Sequence, residues 1–246
     1  MRKFGLIGFP LSHSFSPAYF AEKFAKEGIV DCSYDAYPIE AIEKFPELLR
    51  AEPELAGINV TIPYKKSVIT YLDRCSEAVE KMAACNCIKM QNGIKTGYNT
   101  DVTGFEISLR EKLSKNHTKA LVLGTGGSAA AVEFVLQKLG IAYLFISRKK
   151  DEEKHNLTYA ELSKDVMEAC TLIINTTPLG MYPSVDNCPD IPYQLLSARH
   201  YLFDLVYNPA ETLFLRKGAA NGAVVKNGDD MLIIQAEESW KIWNGE

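Results

Sequence analysis

A glycine-rich turn between an apolar segment and a helical pattern constrains the fold of this chain most strongly. The turn runs from Gly124 to Ala129, follows the segment ALVL and opens a helix that the pattern extends to Leu139. In this context G-x-G-x-x-[GA] is typical of a dinucleotide-binding βα turn, although a plain flexible turn is the alternative. Contacts with a pyrophosphate are expected from Gly124, Gly126, Gly127, Ser128 and Ala129.

The residues after the next strand indicate which dinucleotide binds. An NAD site needs an acidic residue there for the ribose hydroxyl, whereas this chain has Ser147, Arg148, Lys149 and Lys150. A guanidinium and ammonium groups suit a 2′-phosphate, so NADP is favoured, with contacts expected from Ser147, Arg148 and Lys149. A solvated loop is the alternative interpretation for Lys149 and Lys150, but a weaker one for Arg148 at the strand end.

Hydrophobic periodicity predicts an α/β protein of two domains. The N-terminal series has strands at 3–8, 33–37 and 57–62 and helices at 17–27, 39–50 and 65–72. A second series starts near Lys119 with four further apolar strands, and a helix at about 230–243 closes the chain. We expect an N-terminal α/β substrate domain of residues 1–101 plus 228–246, to which the C-terminal helix returns, and a Rossmann-like domain of residues 102–227.

Composition excludes several classes of function. The 246 residues carry a formal net charge of -4 with interspersed signs, so no basic stripe suggests nucleic acid, and no apolar run is long enough to span a membrane. Six cysteines without a CxxC and four scattered histidines predict no metal site; at Cys85 and Cys87 small buried side chains are favoured over a metal or redox site. We expect a cytoplasmic protein acting on small molecules, as a monomer or a homodimer.

The segment NVTIPYKK, Asn59 to Lys66, combines a strand pattern with two lysines. Alternation puts Asn59 and Thr61 on the face opposite that of Ile58, Val60 and Ile62.

The two lysines lie on different faces if a helix begins at Lys65. Helical phase then places Lys65 on the apolar face and Lys66 on the solvent-exposed face. The N-terminus of a helix and desolvation both disfavour a charged lysine, which is the direction needed for proton transfer. A lysine that only covers the edge of the core is equally consistent.

Other polar residues near these segments also have two interpretations. Ser16 before Pro17 is an ordinary helix start, whereas Ser14 has no such structural reason. Asn86 lies in an apolar segment, where its amide must bind backbone or ligand. Asp101 either caps the next helix or contributes to a site.

Together the motifs resemble the shikimate dehydrogenase family along nearly the whole chain. NVTIPYK with YNTD is the specific combination, and the other motifs support it in the right order. The quoted segments are Gly8 to Pro17, Asn59 to Lys65, Gly97 to Asp101, Asn175 to Met181, Asp204 to Pro209 and Asn227 to Leu232 with Gln235 and Ala236.

The resemblance implies a reaction and a set of roles. It implies reversible reduction of 3-dehydroshikimate to shikimate with NADPH, with Lys65 and Asp101 as the catalytic pair. Thr176 and Gly228 would contact the cofactor. The implied substrate contacts are Ser14, Ser16, Asn59, Thr61, Asn86, Tyr207 and Gln235, with Asn59 acting less directly.

The chain departs from the family pattern at three places. Tyr19 and Phe20 replace a usual histidine, Cys87 replaces a threonine, and a threonine is missing after Arg148. The first two suggest packing changes, and the third bears on cofactor preference. An NAD-linked quinate/shikimate dehydrogenase and a non-catalytic nucleotide sensor are therefore the alternative functions.

Overall fold

A computed structural model describes residues 1–12, 14–150 and 156–245. The chain divides into two compact units, one formed by Met1–Thr103 with the segment from Gln235 onward, the other by Gly104–Ile234. Both divisions fall inside helices, Thr100–Arg110 and Asp229–Asn244. His13 of the N-terminal motif and the acidic residues 151–153 lie outside the described residues.

The first unit contains a mixed six-stranded sheet in the order β2-β1-β3-β5-β6-β4. β1 runs parallel to β2 and β3, and β4 parallel to β6, whereas β5 is antiparallel to both of its neighbours. The strands are β1 (Arg2–Gly8), β2 (Cys32–Pro38), β3 (Leu55–Val60), β4 (Arg74–Cys75), β5 (Cys87–Gln91) and β6 (Ile94–Tyr98).

Helices pack on this sheet, and the first of them ends where the sequence predicts. The helix before Gly28 stops there because Gly28 adopts the left-handed conformation, φ 65°, which glycine tolerates best. The helices are α1 (Phe15–Glu27), α2 (Phe45–Ala51) and α3 (Glu77–Met82), with short 3₁₀ helices at Ile42–Lys44 and Ser67–Tyr71; α4 (Thr100–Arg110) starts in this unit and has most of its residues in the second. The predicted helix at 39–50 is thus divided into a 3₁₀ turn and α2.

Trp243 completes the core of the first unit from the C-terminal end of the chain. Its indole stacks on Phe4 at 4.8 Å, and its Nε1 donates to the Ile88 carbonyl at 3.0 Å. A Cβ at Gly57 would lie 2.3 Å from that indole, so glycine is needed there. Phe20 and Cys87 are fully buried in the same cluster, which confirms them as packing residues.

The second unit is a parallel sheet in the order β12-β11-β10-β7-β8-β9. Counted from β7, this is the 3-2-1-4-5-6 order of a Rossmann fold read from the other edge, so the α/β and Rossmann-like predictions are confirmed. Its elements are β7 (Lys119–Leu123), α5 (Gly127–Lys138), β8 (Ala142–Ser147), β9 (Leu157–Thr158), α6 (Lys164–Ala169), β10 (Leu172–Asn175), β11 (Tyr201–Asp204), α7 (Leu213–Ala220) and β12 (Val224–Asn227). α8 (Asp229–Asn244) starts in this unit and belongs to the first unit from Gln235 onward.

The predicted helix at 65–72 is wrong. Residues 62–66 form turns, and only the 3₁₀ helix Ser67–Tyr71 follows. The Lys65 carbonyl accepts a hydrogen bond from Cys85 N–H at 2.7 Å, while Ile69 N–H bonds to Lys66. A tertiary partner therefore takes the carbonyl that would have started an α-helix, and the helix-terminus argument for Lys65 no longer applies.

The described residues contain neither a membrane-spanning helix nor a metal cluster. Each helix in them is too short or too polar to traverse a bilayer. No group of three or more His, Cys, Asp or Glu side chains among them is arranged to hold a metal ion. All six cysteines are free thiols.

Candidate active site

Lys65 and Asp101 form an ion pair in the first unit. Lys65 Nζ lies 2.7 Å from Asp101 Oδ2, and the two side chains are 33% and 22% exposed. The neighbouring Lys66 is exposed and has no carboxylate partner among the described residues. The pair is therefore shielded yet accessible, which a group that exchanges a proton with a ligand requires.

Local hydrogen bonds hold both members of the pair. On the lysine side, Tyr64 N–H donates to the Thr61 carbonyl at 2.9 Å, and the Tyr64 hydroxyl donates to the Ile39 carbonyl at 2.6 Å. These bonds fix the turn that follows β3, so Lys65 is positioned by a turn and not by a helix.

Asp101 lies inside the first turn of α4, so the interpretation of Asp101 as the helix cap is wrong. Its backbone N–H donates to Asn99 Oδ1 at 3.1 Å, and Asn99 Nδ2 donates to the Ala84 carbonyl at 2.9 Å. Asn99 thereby satisfies a free amide at the helix start, and the Asp101 carboxylate remains available for Lys65.

Asn86 and Thr100 form a buried two-point contact beside this pair. Thr100 N–H donates to Asn86 Oδ1 at 2.7 Å, and Asn86 Nδ2 donates to Thr100 Oγ1 at 3.1 Å. Thr100 Oγ1 also lies 3.2 Å from Ser239 Oγ and 3.5 Å from Gln235 Oε1, both on α8. Thr100 thus takes one of the two amide hydrogens of Asn86, whose side chain is buried.

Asn59 is saturated by protein partners. Its Nδ2 donates to the Asn86 carbonyl at 3.2 Å and to Ser239 Oγ at 2.9 Å, and its Oδ1 accepts from the Tyr34 hydroxyl at 2.9 Å. Both amide hydrogens are therefore used, and the residue is only 4% exposed.

Ser14 and Ser16 lie at the start of α1, and Thr61 directly follows β3. Ser14, not Ser16, occupies the cap position of α1, and its side chain makes no capping bond. The interpretation of Ser16 as the cap is therefore wrong, because Ser16 lies inside the first turn of α1, which starts at Phe15. Thr61 follows β3 and is half-buried, whereas Ile62 is 74% exposed because β3 ends at Val60.

In the second unit, the glycines of the glycine-rich turn differ in their surroundings. Gly124 has φ +103°, and a Cβ there would lie 2.9 Å from side-chain atoms of both Thr176 and Thr177. A Cβ at Gly126 or Gly127 would meet nothing within 4 Å, and Gly126 adopts an extended conformation at the start of α5. Gly124 is thus needed by the protein itself, while Gly126 and Gly127 leave open space beside the first amides of α5.

The turn lies at the point where the strand order of the second sheet reverses. Gly124 follows β7, and Thr176 follows the adjacent β10. Thr176 Oγ1 donates to the Leu123 carbonyl at 2.8 Å, and Ala129 is 2% exposed against the sheet. Dinucleotides bind at this reversal, outside the carboxyl ends of the strands.

The basic segment after β8 contains one paired and two unpaired cations among the described residues. Lys150 bonds to Glu161 at 2.6 Å, whereas Arg148 and Lys149 are exposed and form no ion pair with a described residue. Ser147 accepts a hydrogen bond from Asn156 Nδ2 at 2.6 Å. Arg148 is therefore an available cation at the strand end.

Two further predicted contacts lie at the carboxyl ends of β11 and β12. Tyr207 is 36% exposed in the segment after β11. A Cβ at Gly228 would lie 2.9 Å from the Leu205 carbonyl, so close backbone packing accounts for glycine at that position.

Known proteins resemble this chain over its whole length. Residues 6–88 match the family model described as the shikimate dehydrogenase substrate binding domain. The shikimate dehydrogenase (NADP(+)) of Caldanaerobacter subterraneus subsp. tengcongensis is 37% identical over 259 residues, covering 99% of this chain and 91% of that protein. The chain belongs to the shikimate dehydrogenase family.

Two solved structures of related proteins are similar to this family member over its full length. The shikimate 5-dehydrogenase of Thermus thermophilus, in complex with NADP(H) and shikimate, is 30% identical with a TM-score of 0.86 and covers 100% of this chain and 94% of its own. The quinate dehydrogenase of Corynebacterium glutamicum in complex with NAD is 25% identical with a TM-score of 0.87, with the same coverage.

One buried carboxylate of this dehydrogenase family member, that of Asp204, has no role predicted from the sequence. Asp204, at the end of β11, is fully buried and accepts hydrogen bonds from Thr212 Oγ1 at 2.6 Å, Asn175 Nδ2 at 2.9 Å and Val206 N–H at 3.0 Å. Burial raises the pKa of Asp204 to about 6, against the opposing effect of these donors. In the sequence, Asp204 is a polar residue at the end of an apolar strand. Periodicity does not distinguish such a residue from one in an exposed loop.

The raised pKa of Asp204 predicts a pH-dependent stability. Unfolded aspartate ionises near pH 4, so between about pH 4 and pH 6 the folded protein holds one proton more than the unfolded chain. Raising the pH through this window should lower the contribution of Asp204 to the free energy of unfolding, by on the order of 2–3 kcal/mol. Urea unfolding of the wild type and of Asp204→Asn at several pH values measures it. The prediction is contradicted if the free energy of unfolding of the wild type, minus that of the variant, stays constant or increases with pH.

Proposed function

We propose that this protein catalyses the reversible, NADPH-dependent reduction of 3-dehydroshikimate to shikimate, in the chorismate route to aromatic amino acids. The observation that carries the proposal is the Lys65–Asp101 ion pair at 2.7 Å, set beside the buried amide of Asn86. A charged acid/base pair next to directional hydrogen-bond donors suits a polyhydroxylated carboxylic acid with one reacting carbonyl.

The residues of the second unit fit a dinucleotide. Open space at Gly126 and Gly127 would let the first amides of α5 reach the pyrophosphate, with Ser128 beside them. Arg148, with Lys149, would hold the 2′-phosphate by charge-assisted hydrogen bonds. The bound nicotinamide supplies the chemistry of hydride transfer.

Lys65 would move the proton that accompanies the reaction at C3. In the direction of reduction, its ammonium group donates a proton to the C3 oxygen as the ketone becomes an alcohol; in the reverse direction the neutral amine takes that proton back. Asp101 holds Nζ in place and compensates the positive charge of Lys65.

The remaining candidates would hold the substrate in position. Asn86 offers its second amide hydrogen, and the saturated Asn59 acts by fixing the Asn86 backbone. The proposed direct contacts are Ser14, Ser16, Thr61, Asn86, Tyr207 and Gln235. Residues 1–101 with 228–246 would bind substrate and residues 102–227 the dinucleotide, in a cytoplasmic monomer or homodimer whose thiols stay reduced.

Initial rates with two cofactors and two substrates test this function. The purified protein is assayed by the absorbance of the reduced nicotinamide, with NADP or NAD and with shikimate or quinate. We expect the highest kcat/KM with NADP and shikimate. Higher kcat/KM with NAD and quinate would favour the function of the Corynebacterium glutamicum relative. Nucleotide binding without turnover on either substrate would instead indicate a non-catalytic nucleotide sensor.

A further inference from the structure

Ser239 on α8 is a buried serine whose hydroxyl contacts three other residues of the first unit. It accepts a hydrogen bond from Asn59 Nδ2 at 2.9 Å, lies 3.2 Å from Thr100 Oγ1 and donates to the Gln235 carbonyl at 2.9 Å. The exposed fraction of Ser239 is 0%. A ligand does not reach a fully shielded side chain, so any role of Ser239 in the site is exerted through the residues that it contacts.

The hydrogen-bond directions at Ser239 follow from the chemistry of its partners. The Gln235 carbonyl only accepts, so it takes the one proton of the Ser239 hydroxyl. Asn59 turns Nδ2 toward the Asn86 carbonyl, which also only accepts, and the same Nδ2 donates to Ser239. With its proton used, Ser239 accepts from Thr100 as well, so its donor and both of its lone pairs are occupied.

Two of these three bonds connect α8 to the residues that hold Asn86. The bond to the carbonyl four residues earlier is common for a serine inside a helix, whereas Asn59 on β3 and Thr100 on α4 are 180 and 139 positions away. Asn59 binds the Asn86 backbone carbonyl at 3.2 Å. Thr100 binds both ends of the Asn86 side-chain amide, at 2.7 and 3.1 Å. The Ser239 hydroxyl is therefore shared by two residues that fix Asn86, one at its backbone and one at its side chain.

This arrangement gives the buried hydroxyl a function in the site. We propose that Ser239 is a positioning residue for the substrate, which holds the Asn86 amide in place. It does so through Asn59 and Thr100. Because α8 also carries Gln235, one turn before Ser239, the same hydroxyl fixes the Asn86 amide relative to a second proposed substrate contact. This inference rests on the proposed function, since Asn86 and Gln235 are its substrate contacts.

Ser239→Ala tests the inference because it removes the hydroxyl and keeps the rest of the side chain. One amide hydrogen of Asn59 then loses its acceptor, and water has little access to a residue that is 4% exposed. Looser positioning of the Asn86 amide should raise KM for shikimate by roughly three- to tenfold. We expect kcat to change less than about twofold and KM for NADP to stay unchanged, since the Lys65–Asp101 contact uses none of these atoms.

Ser108→Ala is the matched control. Ser108 is also a buried helix serine, 1% exposed, and its hydroxyl donates to Asp230 Oδ1 at 2.6 Å. In the described part of the chain it bonds to no proposed substrate residue. This variant should lower the free energy of unfolding and leave KM for shikimate within about twofold. An equal rise of KM in both variants would be a general effect of losing a buried hydrogen bond and would overturn the inference.

A double-mutant cycle with Asn86→Ala tests whether Ser239 acts through the Asn86 amide. If it does, Ser239→Ala adds little further rise in KM in the Asn86→Ala background. An equal rise in both backgrounds, or no rise in the wild-type background, refutes the role. If circular dichroism shows Ser239→Ala to be unfolded, Ser239→Cys takes its place. A thiol is only a weak acceptor, so KM must then rise at least about twofold, and an unchanged KM counts against Ser239.

The outcome also separates this inference from the proposed function. Wild-type turnover of shikimate with an unchanged KM in Ser239→Ala removes only the role of Ser239. Absence of wild-type turnover overturns both.

Discussion

Replacing Lys65 by methionine should lower kcat by roughly two to four orders of magnitude while KM for shikimate changes much less. Methionine keeps most of the side-chain volume but cannot exchange a proton. The Nζ–Oδ2 contact of 2.7 Å with Asp101 is lost, and no other lysine or arginine side chain of the described residues bonds to this carboxylate. Steady-state rates in both directions, with NADP and shikimate or with NADPH and 3-dehydroshikimate, measure the effect.

Lys66→Met is the matched control for this experiment. Lys66 is the next residue, carries the same charge and is exposed. Its replacement should leave kcat within about twofold, because surface substitutions away from a site have small effects. Near-normal turnover in Lys65→Met, or equal losses in both variants, would remove Lys65 from the catalytic pair.

Replacing Arg148 by glutamine should raise KM for NADP by roughly one to two orders of magnitude and leave KM for NAD nearly unchanged. A hydrogen bond to a charged group contributes about 1.5–3 kcal/mol, and only NADP carries the 2′-phosphate that Arg148 would bind. Arg148 is exposed at the end of β8 and pairs with no described carboxylate, so the variant breaks no ion pair within the described part of the chain.

Lys150→Gln is the control for Arg148. Its ammonium group is held by Glu161 at 2.6 Å, so it is not available to a phosphate in the same way. We expect its KM for NADP to change less than about threefold. If Lys150→Gln has the larger effect, or if Arg148→Gln weakens NAD as much as NADP, another group recognises the 2′-phosphate.

The sequence predicts the fold where local chemistry decides it. Gly28 and Gly140 end their helices with φ of 65° and 67°, as the pattern indicates. The positive φ of Gly124 requires glycine at this turn, as the G-x-G pattern implies. The β5–β6 hairpin was missed although Asn92-Gly93 is a strong hairpin signal; both residues have positive φ.

Tertiary contacts decide the features that local patterns do not predict. The carbonyl of Lys65 is bound by Cys85 N–H from a distant segment, which no periodicity reveals. Lys65 nevertheless is partly buried and Lys66 exposed, so the predicted difference between them is confirmed for a different geometric reason. Tyr34 and Ser239 join the site through contacts that span 25 and 180 positions, and their sequence surroundings are ordinary.

The contact of Trp243 with Gly57 constrains the order in which the two units can fold during translation. The first unit needs that indole to close its core, yet roughly 130 residues of the second unit are translated in between. At about 5–20 residues per second, the N-terminal segment waits on the order of ten seconds at the ribosome without its last core residue. The second unit, whose residues are contiguous, is thus the part that can fold first, although it is synthesised second.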